Sequence, residues 1–295
     1  MMSAVNKSLV KIILSIGFAL IAFAANSVLC RAALAEHTID PSSFTVIRLF
    51  SGAVVLFGIL SFSGRGNSNS IFKGNWISPS LLFLYAAAFS FAYIHLGTGT
   101  GALILFGAVQ LTMIIISFLS GEKLHMLEWA GVMLAFGGFI YLVLPTVTEP
   151  SFFSFVLMTV AGIAWGIYTV IGRTSKNPLS DTAINFIRTL PFIVVLYFFS
   201  MQDTHLSSKG ILLALLSGGI ASGMGYTVWY IALGSLSSLQ AGVLQLLVPV
   251  IAAFGGVVFS SESISTRLIV AALFVLGGIA TVLFGKKYFY HQRTH

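Results

Sequence analysis

Charge is nearly absent from this chain. Only 8% of its 295 residues are Asp, Glu, Lys or Arg, about a third of the fraction found in soluble domains, and that shortage excludes a globule solvated by water. A single cysteine, Cys30, excludes an internal disulfide and any cysteine-based metal cluster. There is no GxxxxGK[S/T] loop, so direct ATP coupling within the chain is excluded on motif grounds. HExxH and clustered His/Asp sets are missing too, which leaves a membrane-embedded lipid-modifying enzyme without a nucleophile, base or metal set. No metal or cofactor is implied. The net charge of +7 comes from basic residues scattered through connectors, not from a patch, so it does not point to nucleic acid.

What is abundant is apolar. Hydrophobic residues make up 57% of the chain and the mean hydropathy is +1.00. A hydrocarbon core about 30 Å thick takes about 20 apolar residues per helix. Cutting at polar breaks gives ten such segments, at about 9–30, 43–63, 78–96, 100–119, 127–145, 152–172, 182–200, 210–231, 238–259 and 266–285. They are continuous runs, unlike the alternating strands of an outer-membrane barrel, and backbone groups in lipid must be satisfied internally. The expected fold class is therefore all-α integral membrane, with ten transmembrane helices. Lys7 and Lys11 before the first run resemble a signal peptide; with nine further spans, that run is read as a retained helix. Placing the N-terminus in the cytoplasm puts eleven of the 15 basic residues on the inner side, in line with the positive-inside rule, and both termini are then cytoplasmic in a bacterial inner membrane.

The chain is also written twice. Glu122 and Glu262 lie 140 residues apart, as do Arg48 and Arg188, and as do Gly137-Gly138 and Gly277-Gly278. Tyr93-Ile94-His95-Leu96-Gly97 matches Tyr230-Ile231-Ala232-Leu233-Gly234 at an offset of 137, and three residues inserted after Gly234 restore 140. Each copy, 1–145 and 146–295, holds five spans. An odd number makes the second copy enter from the opposite side, giving two inverted five-helix repeats. Inverted repeats recur in secondary transporters, with the site at their interface near the midplane.

At these residues the chain resembles the EamA-type, ten-helix members of the drug/metabolite transporter (DMT) superfamily. The second half carries the pattern as Tyr230-Ile231-Ala232-Leu233, Ser235 to Ser238, Pro249-Val250, Glu262 and Gly277-Gly278, with Ser261 where the family has glycine. The first half keeps Gly121-Glu122 but has His95 for alanine, Gly97-Thr98-Gly99-Thr100-Gly101 as its turn, and Val109 in place of the proline. The resemblance implies alternating access on a small organic metabolite, an amino acid or similar amphipathic solute, and favours export. Drug or toxic-compound efflux is the alternative. The expected partners are a small-molecule substrate and the lipid bilayer; a monomer and a homodimer are both compatible with the sequence.

Several residues are candidates for the solute path or its gates. Gln110 falls about halfway through the fourth span, and Gln245 lies one turn before Pro249 in the ninth. A buried amide is costly unless hydrogen-bonded, so each is either glue between helices or the lining of a polar cavity. Pro249 frees a carbonyl and is expected to kink its helix. Tyr226, Trp229 and Tyr230 share one helix face by spacing, as do Trp165 and Tyr168; such rings belong either to an interfacial belt or to a substrate surface. Asn26, Tyr93 and His95 complete the set of substrate-binding candidates, His95 also as a group that titrates near neutral pH. Arg48 and Arg188, one turn inside their spans, are read as snorkelling to the interface or as gates paired with Asp40 or Asp181. Glu122 and Glu262 are read as capping helix N-termini, Glu262 with Arg267 as a further partner.

Overall fold

The computed structural model describes residues 2–62, 75–121, 126–143, 151–173, 175–200, 204–234, 236, 241 and 244–292. Among them the structure is helical apart from an isolated bridge between Ile39 and Leu206. The elements run α1 (Met2–Ala35), α2 (Pro41–Phe62), α3 (Ile77–Ala92), α4 (Thr98–Leu119), α5 (Met126–Val143), α6 (Ser151–Gly172), α7 (Pro178–Arg188), α8 (Leu190–Ser200), α9 (Ser208–Leu216), a π-helical segment (Ser217–Met224), α10 (Gly225–Leu233), α11 (Leu247–Ser260) and α12 (Thr266–Gln292). Six rods are long and apolar enough to cross a membrane, and four shorter apolar helices accompany them: Ile77–Ala92, Met126–Gly138, Leu247–Ser260 and Thr266–Val282.

Three of the expected segments are not simple α-helices. The run 182–200 breaks at Thr189, because Pro191 has no N–H to give to the turn before it; Thr189 bonds back to the Asn185 and Phe186 carbonyls instead. The run 210–231 is one rod with a π-helical middle. In 238–259 the described residues 241, 244 and 245 are helical, Leu246 is a turn, and helix resumes at Leu247. Pro249 sits just after this break, and its missing N–H leaves the Gln245 carbonyl before it without a helical donor.

The surface is inverted relative to a water-soluble protein. Phe62, Phe199, Leu119 and Phe259 project outward while Arg48, Asn26, Gln110 and Gln245 are buried. Of α8 only Ile193 is buried. This is the distribution expected when the solvent is lipid.

The two sequence halves interlock. From the first half, α1 packs on the π segment, α10 and α11; from the second, α6 packs on α3 and α4. The terminal pair α5 and α12 cross closely because Gly131 and Gly278 face each other, so that a Cβ on Gly278 would come 2.5 Å from the Gly131 carbonyl oxygen.

Candidate functional site

Arg48 is the eighth residue of α2, about 10 Å below the helix start at 1.5 Å per residue. It does not snorkel. Its side chain is 1% exposed and points into the bundle, where Nε donates to Ser222 Oγ at 3.1 Å and Nη2 donates to the Tyr85 and Tyr226 hydroxyls, both at 2.9 Å. The guanidinium carbon lies 4.7 Å from the Phe89 ring centre and 5.1 Å from that of Tyr85. Asp40 is occupied elsewhere, accepting from the Ser43 N–H at 2.8 Å and the His205 N–H at 3.1 Å. Asp181 accepts from Ser175. Neither gates an arginine.

Two features of the π segment let it close over Arg48. Gly218 has no side chain, and a Cβ there would lie 2.0 Å from the Arg48 carbonyl oxygen. The winding does the rest. Ser217 and Ser222 are five residues apart, about 140° around an α-helix, but a π turn closes i→i+5 rings and stacks them. Both then reach Asn26 of α1. With its amide turned to face the surrounding donors, the Asn26 carbonyl accepts from Arg48 Nη2 at 3.1 Å, Tyr226 OH at 3.1 Å and Ser222 Oγ at 3.0 Å, and its Nδ2 donates to Ser217 Oγ at 2.6 Å. The opposite orientation would set amide N–H against guanidinium N–H.

Aromatic rings enclose this polar knot. Trp165 of α6 lies 4.4 Å from Tyr226, 5.0 Å from Tyr85 and 5.3 Å from Tyr168 between ring centres. Phe23 of α1 packs edge-on against Trp165 at 6.0 Å and Trp229 at 5.5 Å. Tyr168 accepts a hydrogen bond from Asn185 at 3.2 Å and meets Tyr230 at 6.1 Å. All of these tyrosines and tryptophans are buried, so none of them forms an interfacial belt.

A second polar pair bridges α4 and the segment before α11. Gln110 Nε2 donates to Gln245 Oε1 at 3.2 Å, with both amides buried. The proline at 249 leaves the Gln245 carbonyl without its helical donor.

At the end of α1 nearest the α1–α2 connector, Arg31 and Glu262 form an ion pair at 3.1 Å. Arg31 Nη1 also donates to the Tyr93 and Ile94 carbonyls at the C-terminal end of α3, and Glu262 Oε2 accepts from the Thr98 N–H that opens α4. Each charge thus meets the helix pole of opposite sign. Glu262 caps α4 and not its own helix, which begins at Thr266, and Arg267 lies instead over the Tyr141 ring. Glu262 is aimed there by its turn. Ser261 is left-handed at φ +52°, and the Glu262 N–H bonds back to the Gly256 carbonyl. The corresponding Gly121 is also left-handed, at φ +93°; Glu122 lies outside the described residues.

The structure therefore gathers Asn26, Arg48, Trp165, Tyr168, Tyr226, Trp229 and Tyr230 into one centre and places Gln110 with Gln245 beside α4. It leaves others out. His95 is exposed in the α3–α4 connector, since α3 ends at Ala92. Tyr93 braces that connector, stacked edge-on against Phe89 at 4.7 Å. Arg188 is buried at the break after α7, donating to the Asn75 carbonyl beside the Trp76 ring, and does not snorkel. Reasoning from sequence missed Phe23, Tyr85, Phe89, Ser217 and Ser222. A signal existed for three of them: the offset of 137 that pairs Tyr93 with Tyr230 also pairs Phe89 with Tyr226 and Tyr85 with Ser222. Arg48 is held between these equivalent rows.

A model of the EamA-like transporter family matches residues 152–284. The chain is 45% identical over 265 residues to an uncharacterized protein of Pseudomonas aeruginosa, covering 90% of this chain and 92% of that one. It is 23% identical to the uncharacterized transporter YoaV of Bacillus subtilis, covering 82% and 87%, and 23% identical to a "probable amino-acid metabolite efflux pump" of Escherichia coli, covering 63% and 68%. One crystal structure superimposes with a TM-score of 0.62 over 89% of this chain and 95% of its own, at 19% identity, a likeness of fold.

Proposed function

The chain belongs to the EamA-like transporter family, within the drug/metabolite transporter superfamily, and from that membership we propose that it is a secondary transporter carrying a small organic metabolite, an amino acid or similar amphipathic solute, by alternating access. It is a multi-pass membrane protein. The observation that carries the cargo-site reading is the buried centre around Arg48, where α1, α2, α3, α6, the π segment and α10 converge and both sequence halves contribute. Polar groups buried in lipid-solvated helices are costly and mark solute pathways.

The finer architecture is a reading with the following support. Ten spans, as two inverted sets of five over 1–145 and 146–295, agree with six long and four shorter apolar helices. The packing of α1 on the π segment, α10 and α11 has its counterpart in α6 on α3 and α4, as exchange of two halves requires. The rows Tyr85, Phe89, Tyr93 and Ser222, Tyr226, Tyr230 occupy equivalent places in the two copies. A bacterial inner membrane with cytoplasmic termini follows from the distribution of basic residues. In that topology the connectors after α1, α3, α8 and α11 lie on the outer side. The Arg31–Glu262 cluster and the Lys209–Glu36 pair then join connectors of one face. Export is favoured by the name of the Escherichia coli relative.

Flux in proteoliposomes tests the function. The purified chain, reconstituted and loaded with a labelled amino-acid and metabolite panel, is expected to release at least one member faster than empty liposomes. Replacing Trp165 or Gln245 by alanine should slow that release. Conversion of a panel compound without flux would instead identify an enzyme, and normal flux in both variants would move the site elsewhere.

A further inference from the structure

We infer that the cargo carries a carboxylate and that Arg48 is its counter-ion inside the protein. The inference rests on the transport reading and names the chemistry of its site.

The centre is short of negative charge. Among the described residues the ion pairs are Arg31–Glu262 and Lys209–Glu36, and neither touches Arg48. None of the eight acidic residues lies more than one turn inside a predicted span. Arg48 is instead surrounded by neutral oxygens from Ser222, Tyr85, Tyr226 and Asn26 and by two ring faces. Taking a guanidinium out of water is costly even after relaxation, and a ring face returns only part of that cost. A fixed arginine serving only to tie helices together would be expected to carry a fixed acid. A transporter can do otherwise, because its counter-ion arrives and leaves with the solute.

The unspent hydrogen-bonding capacity of the centre is weighted toward donors: Tyr230 OH, buried without a partner, can donate or accept, and two further atoms can donate alone. Of the five guanidinium N–H groups, those on Nε and Nη2 are engaged, and Nη1 is buried without a partner. Trp229 Nε1 is buried without a partner as well, one helical turn from Tyr226 and so alongside it. These are the buried unpartnered atoms among the described residues that can only donate. Two donor-only atoms left unpaired suit a ligand rich in acceptors.

The walls set the rest of the molecule. Phe23, Phe89 and Trp165 flank the donors and would take an apolar or aromatic body. One guanidinium with no second cation in contact suits a single negative charge better than a phosphate dianion. It opposes a cationic drug, whose charge would face Arg48 in a low dielectric.

The test uses the purified full-length chain in detergent, read by thermal melting and by tryptophan fluorescence, since Trp165 and Trp229 both border the centre. The probes are two matched sets: 3-phenylpropanoate, 3-phenylpropanamide and 3-phenylpropylamine, then hexanoate, hexanamide and hexylamine. The acids should raise Tm and change the fluorescence, with the amides and amines at least tenfold weaker. Arg48→Gln should erase the preference of acid over amide, Arg48→Lys should keep part of it, and Trp229→Phe should weaken the acid a few-fold. An amide or amine binding the wild-type protein as tightly as its acid overturns the inference. So does an acid preference that survives in Arg48→Gln, or a wild-type protein that binds neither acid. Should Arg48→Gln fail to fold, the acid–amide comparison on the wild-type chain decides alone. Failure here is distinguishable from failure of the transport reading: flux of a solute without an acid sinks the carboxylate and leaves the transporter standing.

Discussion

At the residue scale, Arg48 is proposed as a functional charge and not as structural cement. Truncating a structural arginine bonded on three sides should destabilise the protein severely. Replacing an uncompensated buried charge by an apolar side chain of similar volume is often neutral or stabilising. Arg48→Met is therefore expected to melt within about 4 °C of the wild type, or above it, while flux falls at least tenfold; parallel melts and proteoliposome assays measure both. Ser261 gives a second prediction. Its left-handed φ of +52° is a conformation glycine adopts freely, and Ser261→Gly should raise stability by about 0.5–1 kcal/mol in a denaturation series. The sequence made Arg48 visible, through its twin at 188 and its place one turn inside a span. It misjudged the residue because position along a helix gives depth and not facing, and the inward face of α2 is known from what packs there.

At the element scale, the departures from regular helix organise the site. The π winding stacks Ser217 on Ser222, and Gly218 brings α2 close. Gly218→Ala would drive a methyl group against the Arg48 backbone, so a loss of about 3 kcal/mol or more is expected, read as a lower Tm or as failure to purify a monodisperse protein. Glycines in this span were legible as permissive; their use in a π turn was not, because π winding is set by the partner helix. The proline breaks were half legible. Pro191 and Pro249 announced irregularity, yet only the packing decides whether a proline kinks a helix or starts one. The latch of Arg31, Glu262 and two helix ends is a tertiary object. A double-mutant cycle of Arg31→Gln and Glu262→Gln should show coupling of about 1 kcal/mol.

At the scale of the whole molecule, the proposed repeat would supply a symmetric frame that is broken at the centre. Arg48 sits between equivalent rows of α3 and the π–α10 rod, whereas Arg188, its twin in sequence, ends at the Asn75 carbonyl. The offsets of 137 and 140 point to that frame; the different places of the two arginines do not show in them, since both read alike in sequence. Closure at one face follows from the same arrangement. Cys30 is buried beneath the Arg31–Glu262 latch, so an impermeant thiol reagent should leave it unlabelled in this conformation, and Glu262→Gln should raise its labelling several-fold.

The most direct measurement is counterflow in proteoliposomes of a labelled carboxylate-bearing solute, comparing wild type with Arg48→Met at matched reconstitution. The account requires saturable exchange in the wild type, lost in a variant that remains folded. Exchange that persists undiminished in folded Arg48→Met would contradict the claim that cargo passes through this centre.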